Sequence, residues 1–367
     1  MNYKEILYFV ATCLTISLED KNKQVIEKQL QSDTIDWSAV VKVSTSHYVL
    51  PAMYFNFKRA DFLKYLPADL VEYMIHISNL NKDRNVQIIQ QAKELNSLLL
   101  ENNIRTLFLK GTGNLLEGLY EDIGERMVGD IDLIVSNEDS LKSNKVLINN
   151  GYKTKINESY LFPNFRHSPR LIKSTRIAAV EIHKELFIEK FPHEFNYELI
   201  NKKVQKINNV NVLSFEHQLA LSIIANQIND NGFYFKTMAL RNAYDVFLLS
   251  KKTNAKDAVN TLDKLSHPLN CFLAACYEVF NKVESIEYNK NVKTALYLRN
   301  FNSQFTNPIL KTYPNKPNNI IKRILYVFYK FITIKGYRVW LFSLLTDKDW
   351  QQEKLVCLGI KNMKITK

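Results

Sequence analysis

The chain has 367 residues, 46% of them hydrophobic and 23% charged, with a net charge of +12. That length exceeds a typical single domain and predicts two or three, and the composition excludes wholesale disorder. Four scattered cysteines without a C-x-x-C pair read as thiols of a reducing compartment, and no run reaches the ~20 apolar residues of a membrane span, so a cytoplasmic protein is expected.

In chain order, Leu7, Val10, Leu14 and Leu18 recur at helical spacing and predict an amphipathic first helix. Glu5 beside Lys4, with no small-residue cleavage site before Glu19, sets that segment apart from a signal peptide. Trp37, Val40, Val41 and Val43 form a second apolar cluster. Residues 86–100 form a long amphipathic helix that Asn102 and Asn103 break. From 104 to about 186 the period changes, with strand-like runs at 104–109, 130–135 and 177–183. A short helix after Thr112 and a longer one over 139–149, capped by Gly151, separate them. Past 200 the pattern is helical again, over 215–228, 237–250 and onward, with Pro308, Pro314 and Pro317 marking an irregular connection. The expected division is a helical region over 1–100, a compact core over 101–200 and a second helical region over 201–367.

Five of the nine glycines fall between Gly111 and Gly129. Glycine gathers where backbone must approach something closely or take a positive φ. Asp130 and Asp132, two apart on one strand, point to the same face. Adjacent carboxylates repel unless a cation sits between them, and hard oxygen ligands suit Mg²⁺. Upstream lies Lys110-Gly111-Thr112-Gly113. Gly111 and Gly113 leave room for a phosphate, Thr112 or Gly113 opens a helix whose free N–H groups attract anions, and Lys110 adds a point charge. The segment is neither a Walker A loop nor a Rossmann fingerprint. A site for two ions wants a third acid. Glu181, inside an apolar run, is expensive there unless paired, and His183 shares its face. The plainer readings are a solvated Asp pair, a strand-end Lys110, a salt bridge for Glu181 and a satisfied polar His183.

Together, Phe108-Leu109-Lys110-Gly111, Arg126-Met127-Val128-Gly129-Asp130-Ile131-Asp132-Leu133-Ile134-Val135 and Val180-Glu181-Ile182-His183 resemble the uncharacterised nucleotidyltransferase family of the DNA polymerase β-like superfamily. The resemblance extends to Asp36-Trp37, to His47-Tyr48-Val49-Leu50-Pro51 and to a downstream helix ending in Arg241-Asn242-Ala243-Tyr244-Asp245. It covers roughly residues 35–250 and departs at Asn226, where relatives tend to carry a histidine.

The resemblance implies an α+β fold, a small mixed-sheet core flanked by helical regions. It implies that Asp130, Asp132 and Glu181 hold two Mg²⁺ or Mn²⁺ ions, with Glu185 and Glu158 the next candidates for the third acid. Lys110, Gly111, Thr112 and Gly113 would bind the phosphates of an NTP, ATP by default. Arg126 would neutralise charge near the leaving pyrophosphate, and His183, Arg241 and Asp245 would be accessory. The acceptor would carry a hydroxyl on a small molecule, sugar or protein. A catalytically silent nucleotide-binding module and an RNA-directed enzyme are the alternatives. The segment 311–367 carries twelve Lys/Arg against three acids, a net +9. A chain-wide bias towards Lys, Asn, Ile and Tyr accounts for much of that, so nucleic acid is not the favoured partner. The stretch 324–345 reads as a domain-packing helix, with an anionic membrane surface as its alternative.

Overall fold

The computed structural model describes residues 1–32, 34–154, 166–187, 194–305, 316–348 and 350–352. Glu158, Pro308, Pro314 and Cys357 lie outside the described residues; Cys13, Cys271 and Cys276 are buried free thiols.

The first helix, α1 (Tyr3–Cys13), starts at a capping box between Asn2 and Glu5. Its apolar surface is wider than the predicted stripe, because Ile6, Leu7, Phe9, Val10, Ala11 and Cys13 are all buried. Four helices cover it: α2 (Asp20–Leu30), α3 (Trp37–Ser46), α4 (Leu50–Ala60) and, from the far end of the chain, α13 (Ser266–Val279). The predicted helix over 86–100 is the second half of α5, which runs Ala68–Glu101. Its inward seam, Leu70, Met74, Ser78, Asn81, Asn85, Ile88, Ala92, Leu95 and Leu99, steps by three and four residues throughout. Polar residues fill the middle of that seam, which is why an apolar pattern reports only its C-terminal half.

Behind α5 stands a seven-stranded mixed sheet of order β3-β4-β5-β2-β1-β7-β6. Its strands are β1 (Leu107–Phe108), β2 (Asp130–Ile134), β3 (Lys153–Thr154), β4 (Leu171–Ile172), β5 (Ala179–His183), β6 (Val204–Ile207) and β7 (Val210–Leu213). β2 pairs parallel to β5 and antiparallel to β1, and β1 pairs parallel to β7. Ile131, Leu133, Val180 and Ile182 are buried on the face opposite the acids. The α+β architecture expected from the sequence is the one observed. The hairpin β6–β7, closed by Asn208 and Asn209 at φ 48° and 65°, is an addition that the sequence reading passed over.

Two short helices separate the strands: α6 (Lys110–Glu117) and α7 (Ser140–Asn149). Downstream come α8 (Tyr197–Asn201) and α9 (Phe215–Ile224), which loosens into a π-helical turn over Ala225–Asn229. Then follow α10 (Gly232–Phe235) and α11 (Leu240–Ser250). Arg241 to Asp245 open α11 instead of ending a helix, which turns them towards β2. After α12 (Ala255–Asn260) and α14 (Val292–Ser303) come two more helices, α15 (Lys316–Thr333) and α16 (Lys335–Thr346), that pack on each other.

Candidate active site

β2 and β5 are in register with Asp132 opposite Glu181, Asp130 opposite Ala179 and Ile134 opposite His183. Parallel pairing and alternation therefore put both Asp side chains, Glu181 and His183 on one face. His183 Nε2 lies 2.8 Å from Asp132 Oδ1. One oxygen of Asp132, one of Glu181 and one ring nitrogen of His183 lie within 4.8 Å of one another. Asp130 stands slightly apart from that group.

Cations neutralise this cluster. Lys110 Nζ is 2.6 Å from Asp132 Oδ1. Arg170, just before β4, bridges Asp130 (3.0 Å) and Glu181 (2.7 Å) through one nitrogen. Burial works against ionising Asp132, but the Lys110 ammonium and the His183 contact prevail and hold its carboxyl well below the usual range. Burial raises Asp130 instead, with Glu181 and Asp132 adding to the shift and Arg170 opposing it. Burial and the Lys110 charge push His183 down to about 4, so its imidazole is neutral and keeps a lone pair. Carboxylates with one neutral imidazole are a donor set that fits a divalent ion, and Lys110 and Arg170 offset two of the three carboxylate charges, which leaves net negative charge for such an ion to meet.

The Lys-Gly turn divides into two functions. α6 begins at Lys110, earlier than the predicted start, because Gly113 N–H already bonds to the Leu109 carbonyl (3.0 Å). Lys110 and Gly111 line the cleft in front of Asp130 and Asp132. Thr112 is buried, and its hydroxyl donates to the Asp130 carbonyl at 3.1 Å. A Cβ on Gly113 would stand 2.8 Å from the Phe108 carbonyl oxygen, so this glycine permits close packing of helix on strand.

Arg126 is buried against α11. Its Nε and Nη2 bond to Asp245 at 2.9 Å each, and its Nη1 donates to the Met127 carbonyl. Tyr120 donates to the same Asp245 carboxylate at 2.7 Å. Asn81 and Asn85 from the polar seam of α5 donate to the carbonyls of Ile123, Gly124 and Arg126. Glu125, one residue earlier, takes hydrogen bonds from Arg59 (2.7 Å) and Tyr244 (2.5 Å). The loop leading into β2 is thus fixed by buried charge-assisted bonds on both sides.

The cleft in front of these residues holds about 260 Å³. The sequence-predicted Lys110, Gly111, Arg126, Asp130, Asp132, Glu181, Arg241 and Asp245 line it; Thr112, Gly113 and His183 stand behind. Glu185 is not among the lining residues. Sequence reasoning missed Arg166, Arg170, Ser222, Asp230 and Asn242, which line it too. Only the pairing of Leu171 with Val180, across a two-residue strand, aims Arg170 at the acids. Nε of Arg166 and Nε of Arg241 are buried with no hydrogen-bond partner. Five basic and five acidic side chains line the cleft among the described residues.

The family described as uncharacterised nucleotidyltransferase matches residues 33–280. The chain belongs to that family. The match takes in both Asp side chains, Glu181, the Lys-Gly turn and α11, hence every lining residue of the cleft. No curated protein matches this nucleotidyltransferase. Among the described residues, no helix is long and apolar enough to cross a membrane.

Proposed function

We infer that this nucleotidyltransferase moves an NMP group from an NTP to a hydroxyl acceptor in the cleft between β2, β5 and α11. The observation that carries this reading is the register of Asp132 on Glu181, with His183 beside them and the Lys-Gly turn across the cleft. Asp130, Asp132 and Glu181, with His183, are the residues that would hold Mg²⁺ or Mn²⁺, two ions in all. When bound, such ions stabilise charge on the reacting phosphoryl oxygens and lower the cost of an attacking alkoxide.

The rest of the reaction falls to this chain's own groups. Lys110 and the free N–H groups at the start of α6 take the β- and γ-phosphates. Arg241 and Arg166, each with an unpartnered buried Nε, take charge on the departing pyrophosphate. Arg126, engaged by Asp245, is a positioning residue that fixes the loop before Asp130. The acceptor oxygen attacks the α-phosphorus, the bond from that phosphorus to the bridging oxygen breaks, and pyrophosphate leaves. The acceptor's proton passes to a carboxylate of the site, for which we assign Glu181. Most of the acceleration comes from positioning and charge stabilisation. An NTP carrying two divalent ions is close to neutral, which suits a cleft whose lining charges balance. ATP is the default donor, and a small molecule, sugar or protein the acceptor.

The test is incubation with each α-labelled NTP and Mg²⁺ or Mn²⁺, alone and with cell extract, followed by separation of labelled products. Label transferred to a product, with pyrophosphate released, is the expected result. Stoichiometric NTP binding without release under any acceptor would make the fold a silent nucleotide-binding module. Label carried only on RNA would make the enzyme RNA-directed.

A further inference from the structure

The span matched by the family ends at residue 280, well before α15 and α16. The sequence of α15 separates two faces cleanly. Ile324, Leu325, Phe328, Phe331 and Ile332 fall on one side at helical spacing, and Lys330 falls on the other. A packing helix would bury the apolar side. Here Ile324, Leu325, Phe328 and Ile332 each leave more than half of their surface in water. α16 adds Val339, Phe342 and Leu345 at spacings of three, each at least half exposed. The two helices hold together through Phe331 and Phe342, with ring centroids 5.9 Å apart. Among the other described residues there is no comparable concentration: exposed large apolar side chains are scattered along many elements.

We propose that the α15–α16 hairpin lays its apolar face into the surface of an anionic lipid bilayer and anchors the enzyme there. Two independent features choose this occupant. The face is aliphatic and aromatic, of the kind that enters the boundary between headgroups and acyl chains. The segment 311–367 that carries it holds a net +9, which a neutral or cationic partner would not match. Neither helix is long and apolar enough to cross a membrane, which fits a helix pair lying on the surface. Two of the chain's three tryptophans, Trp340 and Trp350, fall in this region, where indole rings favour the interface. The site and its chemistry do not enter this inference.

The full chain is mixed with vesicles of phosphatidylcholine alone and of phosphatidylcholine with about one third phosphatidylglycerol, and bound protein is measured by sedimentation and tryptophan emission. Binding to the anionic vesicles is expected to be roughly tenfold tighter or more, with a blue shift in emission, and to fall with salt. Phe328→Asp with Ile332→Asp should abolish it while core melting stays unchanged, and Phe328→Leu should retain it. Lys322→Glu should weaken it roughly fivefold or more. Equal partition into both compositions, or into neither, overturns the proposal. So does binding that survives Phe328→Asp with Ile332→Asp, since attraction by charge alone is what nucleic acid would also give. A dimer that those substitutions dissolve, without vesicle binding, assigns the face to a second copy and overturns it too.

Discussion

Lys110 Nζ and Asp132 Oδ1 lie 2.6 Å apart, so the first residue of α6 is bonded to the strand whose carboxylates define the site. Lys110 does this from a left-handed backbone, φ 51°, which costs a non-glycine residue about 1–2 kcal/mol. Its ammonium is therefore kept against the local backbone preference. Lys110→Gly should relax the backbone and Lys110→Ala should not, so in urea melts the alanine variant is less stable by about 1 kcal/mol. Both should weaken NTP binding and reduce turnover in part. Unchanged NTP affinity in Lys110→Ala would remove the Lys-Gly turn from the phosphate site.

Glu181 fails in a different way. It is nearly fully buried; Arg170 is bonded to it at 2.7 Å, and the imidazoles of His167 and His183 stand 3.6 Å and 3.9 Å away. In our reading it acts on the acceptor's proton, a group that matters during transfer and not in NTP binding. Glu181→Gln should therefore collapse kcat while NTP affinity, measured by calorimetry, stays near the wild-type value. An active variant would move the third acid elsewhere.

The two aspartates should separate in stability although both are needed for transfer. Asp130 is the looser of the pair, and the neighbouring Asp132 and Glu181 disfavour its charge. Asp130→Asn relieves that repulsion and leaves Arg170 bonded to Glu181, so metal-free melting should hold or rise. Asp132→Asn removes the ion pair to Lys110 and alters the contact to His183, and should cost about 1–3 kcal/mol. Each variant should lose transfer and any Mg²⁺-dependent thermal shift with NTP. Wild-type activity in either would sink the assignment.

The acids, the Lys-Gly turn and their strands were legible because each is local: an alternation, a glycine cluster, a carboxylate inside an apolar run. Arg170 was not, since its reach to Asp130 and to Glu181, eleven positions on, depends on how the two-residue strand β4 pairs with β5. The first half of α5 escaped because Ser78, Asn81 and Asn85 occupy its inward seam, where the two asparagines hold the loop before β2 rather than fill a core. The β6–β7 hairpin did carry a signal. Two asparagines between alternating strand residues favour the left-handed turn that closes it. The tail helices show the converse: their amphipathic pattern was plain in the sequence, and only the structure shows that their apolar side chains stay in water.

His47, at the end of α3, joins the N-terminal helices to the start of α11. Leu240 N–H donates to its Nδ1 at 3.3 Å, and the Tyr3 hydroxyl lies 3.4 Å from its Nε2. Burial pushes its pKa down to about 4, whereas the unfolded chain titrates near 6.5. Between those values the unfolded state binds more protons, so stability rises with pH there and is lost as pH falls through the window. His47 is expected to contribute up to about 3 kcal/mol that is fully present above the unfolded value and gone near the folded one. His183, also held neutral by burial and the Lys110 charge, titrates in the same window. His47→Asn keeps an acceptor for Leu240 N–H and does not titrate, so it should flatten the fall in urea midpoint between neutral pH and pH of about 4 without erasing it. A variant whose midpoint falls as steeply as the wild type's would show that His47 stays neutral in the unfolded chain or charged in the folded one, and the coupling of α3 to α11 through a neutral imidazole would fail.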